Sequence, residues 1–165
     1  MNDPPSKLAV FLARTAVVLL ASLLVAGIFW HGLSAEVLDR YWRNIIARPG
    51  GPMTFRFFLQ PLMASIAALY DGINDAHLGR SPYLSAIVRG IEGRSSRLWE
   101  GVVSTAKILL LGIVMDVVYQ LTVLDTFHPA ESAFIAILLA FVPYALLRGP
   151  VKRVASRWIR RPASD

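Results

Sequence analysis

The chain has 165 residues, 55% of them hydrophobic, a formal charge of +6 and no cysteine. That length suits one domain, the composition favours a membrane class over a water-soluble one, and the absence of cysteine excludes disulfides, thiolate zinc centres, iron–sulfur clusters and a cysteine nucleophile. The basic residues flank apolar runs instead of covering a polar domain, which fits anionic lipid head groups and not nucleic acid.

The first apolar run, TAVVLLASLLVAGIFW from Thr15 to Trp30, follows Lys7 and Arg14 and closes on Trp30 and His31 in the manner of an interfacial belt. It predicts a span over about 15–33. A retained anchor fits better than a cleaved signal, because Leu33 occupies the position before "SA" where a signal peptidase prefers a small residue. Next comes SAEVLDRYWRNIIARPGGP. Val37, Leu38, Tyr41, Trp42 and Ile45 repeat at helical spacing opposite Asp39, Arg40, Arg43 and Asn44, so an interfacial amphipathic helix is expected over about 35–47. Ser34 can cap its start, and glycine with proline ends it.

The second run, Met53 to Tyr70, is interrupted by Arg56, Gln60 and Pro61. It reads as a span over about 53–72, with a re-entrant dip as the rival. A second interfacial helix is expected over about 82–92, with Ser81 as N-cap and Pro82 at its first position. The third span covers about 102–124 and the fourth about 132–147, with Glu131 near its start and Pro143 toward its end. Residues 148–165 form a basic cytoplasmic tail. There Lys152, Arg153, Arg157, Arg160 and Arg161 are candidates to bind anionic head groups beside an apolar face of Val151, Val154 and Trp158. A plain topogenic signal is the alternative.

Four spans with both termini inside give twelve basic residues inside against four outside; three spans give fourteen against two. Charge therefore does not choose between them, but both put the C-terminus in the cytoplasm. The apolar circumference of Phe57 to Tyr70 favours four. The expected fold is all-α: a polytopic membrane helix bundle with interfacial amphipathic helices, one membrane domain over residues 1–165.

Asp116 lies inside the third run, eight residues from Leu124, or about 12 Å at 1.5 Å per residue. Thr105, Leu109, Gly112, Asp116, Tyr119 and Gln120 share one helix face, which should point into a bundle. An unpaired aspartate at a span centre costs about 2.5–3.5 kcal/mol, so it needs a partner, a proton or water. Gln60 lies at a similar depth on the second span, and Arg56, one turn nearer the surface, has a side chain long enough to reach down. The expected intramembrane polar cluster is Asp116, Arg56, Gln60, Gln120 and Tyr119. Two roles stand open for it: helix packing and specificity, or an ion or proton path using Asp116.

Asp71, Asp75 and His77 in YDGINDAHLGR are the weak candidates for a divalent cation. The fragment resembles the opening of the CDP-alcohol phosphotransferase signature, but the second acidic pair that family requires is missing here. The family is therefore set aside, and no metal, cofactor or catalytic residue is expected. There is no Gly-x-Ser-x-Gly elbow and no phosphate-cradling glycine motif. In size, span count and the segments RPGGPMTFRF and MDVVYQ, the chain resembles small bacterial inner-membrane proteins of no assigned activity. That resemblance implies a multi-pass inner-membrane location. The expected function is a non-catalytic structural or accessory subunit packing with itself or a partner complex in an anionic bilayer. The alternative is a small transporter or ion conductor.

Overall fold

The computed structural model describes residues 4–32, 34–47, 54–90, 93–124 and 127–159. The side chains of Leu38, Asn44, Ile45, Ala47 and Leu124 lie outside that description. So do residues 91–92 at the end of the second expected interfacial helix, Arg160 and Arg161 of the basic tail, and the glycine–proline stop before Met53. The regular structure of the described residues is all helix, with no strand among them.

Helix α1 spans Lys7–His31, and Ser6 caps it by accepting from the Ala9 N–H at 3.2 Å. Helix α2 (Ala35–Ala47) starts with the Val37 N–H donating to Ser34 Oγ at 3.2 Å. Helix α3 (Arg56–His77) carries Pro61 in its second turn, where proline removes the i→i−4 bond to the Phe57 carbonyl. Helix α4 is the short Tyr83–Arg89, and Pro82 is its N-cap instead of its first residue. Helix α5 runs Arg94–Tyr119 and passes into a π-helical turn, Gln120–Leu124. The last rod is continuous: α6 (Pro129–Ala136), a π-helical turn (Ile137–Phe141) and α7 (Val142–Ile159). In that turn the Val142 N–H donates to the Ile137 carbonyl, five residues back. The basic tail is thus no separate element up to Ile159; it prolongs the rod beyond the bundle.

Three helices are long and apolar enough to cross a membrane: Lys7–His31, Arg94–Val123 and Pro129–Ile159. Each reaches past the hydropathy-based bounds because its charged ends stay helical. The contacts fix the direction of each rod. Gly27, near the end of α1, touches Ala130, and His31 stacks on His128 at 4.8 Å between ring centroids. Pro4 and Pro5 share a cleft with Asp71 and Glu100 at the opposite end. Helices α1 and α5 therefore run the same way. The chain must return between them, and α3 does so, packed antiparallel to α5 and along α7. The result is an up-down-up-down four-rod bundle with the first and last helical segments at one end.

Between the ends the interior is built on small residues. Ala64 and Ala68 on α3 meet Ala136 and Ala140, all fully buried, with Leu109 and Ile113 of α5 filling the remaining space. Small side chains let the backbones approach closely, which is how helices associate where solvent supplies no hydrophobic drive. Phe58, Leu62, Ile66, Val114, Val118 and Leu146 point outward instead and are exposed. This is an inside-out pattern: alanine and charge within, large apolar residues without. It suits lipid and not water.

Candidate functional site

Two buried charge networks close the bundle, one at each end. They are spaced by the helices that carry them. Arg56 and Asp75 lie nineteen residues apart on α3, as do Arg97 and Asp116 on α5. That is about 28 Å at 1.5 Å per residue, close to the roughly 30 Å of a hydrocarbon core.

At the first end, Arg56 Nη2 donates to Asp116 Oδ1 at 2.6 Å, with both side chains buried. Gln120, one turn further along α5, donates to Asp116 Oδ2 at 2.7 Å and to Ser132 Oγ at 2.9 Å. Its amide oxygen accepts from the His128 N–H at 2.6 Å. Asp116 thus joins α3, α5 and the start of α6. Its charge is matched by one guanidinium and its second oxygen is satisfied by an amide, which meets the requirement for burying a carboxylate.

The second end is larger. Asp75 is buried under two guanidinia, each of which spans both of its oxygens. Arg148 donates through Nε at 2.7 Å and Nη2 at 2.9 Å; Arg97 donates through Nη2 at 3.1 Å and Nη1 at 3.2 Å. Glu100 accepts from Arg97 at 2.9 Å, Arg148 at 3.2 Å and Arg80 at 3.2 Å. Asp71 takes no guanidinium: it accepts from the hydroxyls of Ser104 and Tyr144, each at 2.6 Å. Arg148 also donates to Tyr144 Oη at 2.7 Å. Asp71, Asp75 and Glu100 against Arg80, Arg97 and Arg148 sum to zero, so the whole cluster can be buried without a net charge. The Tyr83 ring lies under Arg148 at 4.6 Å and Arg97 at 5.6 Å, a cation–π shelf that ties α4 to the cluster. Burial pushes the Tyr83 phenol up to about 12, so it stays neutral beside them.

The chain matches no known family model, no curated protein and no solved structure. Any functional reading must therefore come from this geometry.

Of the residues singled out by sequence, the structure brings Arg56, Asp116 and Gln120 into direct contact. Tyr119 is buried on the same face. Gln60 is fully buried beside Gly112, but neither of its amide atoms has a hydrogen-bond partner among the described residues. The divalent-cation candidates do not converge. Both Asp75 oxygens are taken by arginine, Asp71 faces hydroxyls, and His77 is exposed. Among the described residues no group of three metal-ligating side chains exists. Lys152 is half-buried and Arg153 and Arg157 are exposed along the end of α7.

Sequence reasoning missed Arg97, Glu100, Arg148, Tyr144 and Tyr83. The arginines stood at the ends of apolar runs and were counted as flanking charges. One signal was present: an aspartate pair at i, i+4 on one helix and an Arg-x-x-Glu on the next, both beside apolar runs.

Proposed function

We propose that the chain is a multi-pass protein of the bacterial inner membrane, crossing it four times through α1, α3, α5 and the α6–α7 rod, with its C-terminus in the cytoplasm. In this reading it is a non-catalytic structural or accessory subunit that packs with itself or with a partner complex in an anionic bilayer. One observation carries the non-catalytic reading: Asp75 and Asp116, the buried aspartates of the two networks, have arginine or amide donors on both oxygens. Neither is left to act as a general base or to ligate a metal. The alanine-packed interior between the networks supports the same view, since a proton path needs a chain of titratable groups.

The positive-inside rule supports the orientation. The end where α1 starts and α7 finishes carries Lys7, Arg14, Arg80, Arg89, Arg94 and the α7 basic residues, whereas the other end carries Arg40 and Arg43 in the described linker. A second reading, a small transporter or ion conductor using Asp116, draws support from Gln60: a buried amide without a partner is expensive unless a water or solute visits it.

The test is isolation in mild detergent followed by reconstitution. A stoichiometric partner or a defined homo-oligomer, with no proton or ion flux in proteoliposomes, is the expected outcome. Flux that disappears in Asp116→Asn would move the assignment to the second reading.

A further inference from the structure

Lys107 stands apart from both charge networks. On α5, Trp99, Val103, Lys107, Leu111, Val114 and Val118 fall on one outward face. Lys107 is exposed there, surrounded along its helix by apolar residues, and it makes no hydrogen bond or ion pair among the described residues. An ammonium on such a face extends toward the nearer polar layer and needs an anion there.

Two turns nearer the helix start, the same face opens into a cleft of about 380 Å³ lined by Trp99, Val103, Asp71, Glu100 and Arg80, with Pro4 and Pro5 on the far wall. Arg80 and Glu100 are about one-third exposed, at 30% and 33%. Asp71 is the carboxylate of the cluster that no guanidinium holds among the described residues. The cleft thus presents a cation and a carboxylate side by side, with an apolar stripe leading away from it.

We propose that this cleft binds the head group of an amine-bearing phospholipid from the leaflet at the basic end. Lys107 and Arg80 hold the phosphate, Asp71 accepts from the primary ammonium, and the acyl chains lie along Leu111, Val114 and Val118. The head group of such a lipid carries both charges that the cleft addresses, a phosphate for the two cations and an ammonium for the carboxylate. A primary ammonium has N–H groups to donate to Asp71, whereas a trimethylated one has none. This inference rests on the membrane reading above.

The experiment uses the full chain, delipidated in detergent. It measures binding of three phospholipids with identical acyl chains and ethanolamine, choline or glycerol head groups, by native mass spectrometry and by the shift of the thermal midpoint. The ethanolamine lipid is expected to bind at one site about tenfold more tightly than the other two. Lys107→Gln should weaken binding while leaving the lipid-free midpoint unchanged. Asp71→Asn, which keeps an acceptor for Ser104 and Tyr144, should erase the preference for ethanolamine over choline. Equal affinity for the three lipids, a preference for the glycerol head group, unchanged binding by Lys107→Gln, or a second copy of the chain covering the α5 face in place of lipid would each overturn the proposal. A chain that stays folded and monomeric in buffer without detergent would instead overturn the membrane reading itself.

Discussion

Asp116 is visible in the sequence because everything around it is apolar; the need for a partner then follows from the cost of an isolated buried charge. Arg56 and Asp116 test that logic directly. Removing one member of a buried, hydrogen-bonded pair leaves the other uncompensated, at a cost of about 3–5 kcal/mol. Arg56→Gln and Asp116→Asn should each destabilise the protein in detergent. The double mutant should lose less than the two singles combined, with a coupling of at least about 1 kcal/mol in denaturant titrations. Strict additivity would mean that the 2.6 Å contact contributes nothing. The Asp75 cluster was not legible in the same way. A guanidinium at the end of a run looks the same whether it faces water or turns inward, and only the folded bundle shows that Arg97 and Arg148 turn inward onto one carboxylate.

At the scale of the helices, glycine decides where rods can touch. A side chain at Gly27 would run into the Ala130 backbone, with its N and Cα at 2.6 and 2.9 Å. At Gly149 the same added carbon meets nothing within 4 Å. Gly27→Ala should therefore force α1 away from α6 and lower the unfolding midpoint. Gly149→Ala meets no other helix, and its helix-propensity gain is opposed by the crowding of Pro150 against the new carbon, so it should move the midpoint far less. A large loss at Gly27 beside a small change at Gly149, read in one thermal-melt series, would establish the close α1–α6 approach. The helical periods were readable from sequence: the apolar spacing fixed the rods, and Ser34 fixed a cap. Their ends were not, because Arg97 and Arg148, which finish hydrophobic windows, turn inward onto carboxylates and stay within the helix. The helices continue beyond them, α5 from Arg94 and α7 to Ile159.

For the whole molecule, hydropathy and charge left three and four crossings open, since the weak run at Met53 to Tyr70 suits either count. Chain direction supports the four-crossing reading proposed above. Two parallel rods, α1 and α5, need a return stroke, and α3 is the segment that runs between their ends. The lack of native cysteine makes this directly measurable. Single cysteines at Ser34 and at Ser156 should react with a membrane-impermeant maleimide from opposite sides of the bilayer, and one at Ser96 should behave like Ser156. Ser34 and Ser96 labelling from the same side would reduce α3 to a dip.

The π-helical turn at Ile137–Phe141 carries a consequence for how one rod serves both networks. In a regular α-helix, Ser132 and Arg148, sixteen residues apart, would point about 160° away from each other. One surplus residue in the turn rewinds the downstream half by about 100° and leaves them about 60° apart. A small dislocation in the middle of the rod thus lets its two ends face the same neighbours: Gln120 meets Ser132 at one end and Asp75 meets Arg148 at the other. Deleting a single residue there would leave the rod helical and apolar, yet only one of its ends could stay in phase with the rest of the bundle.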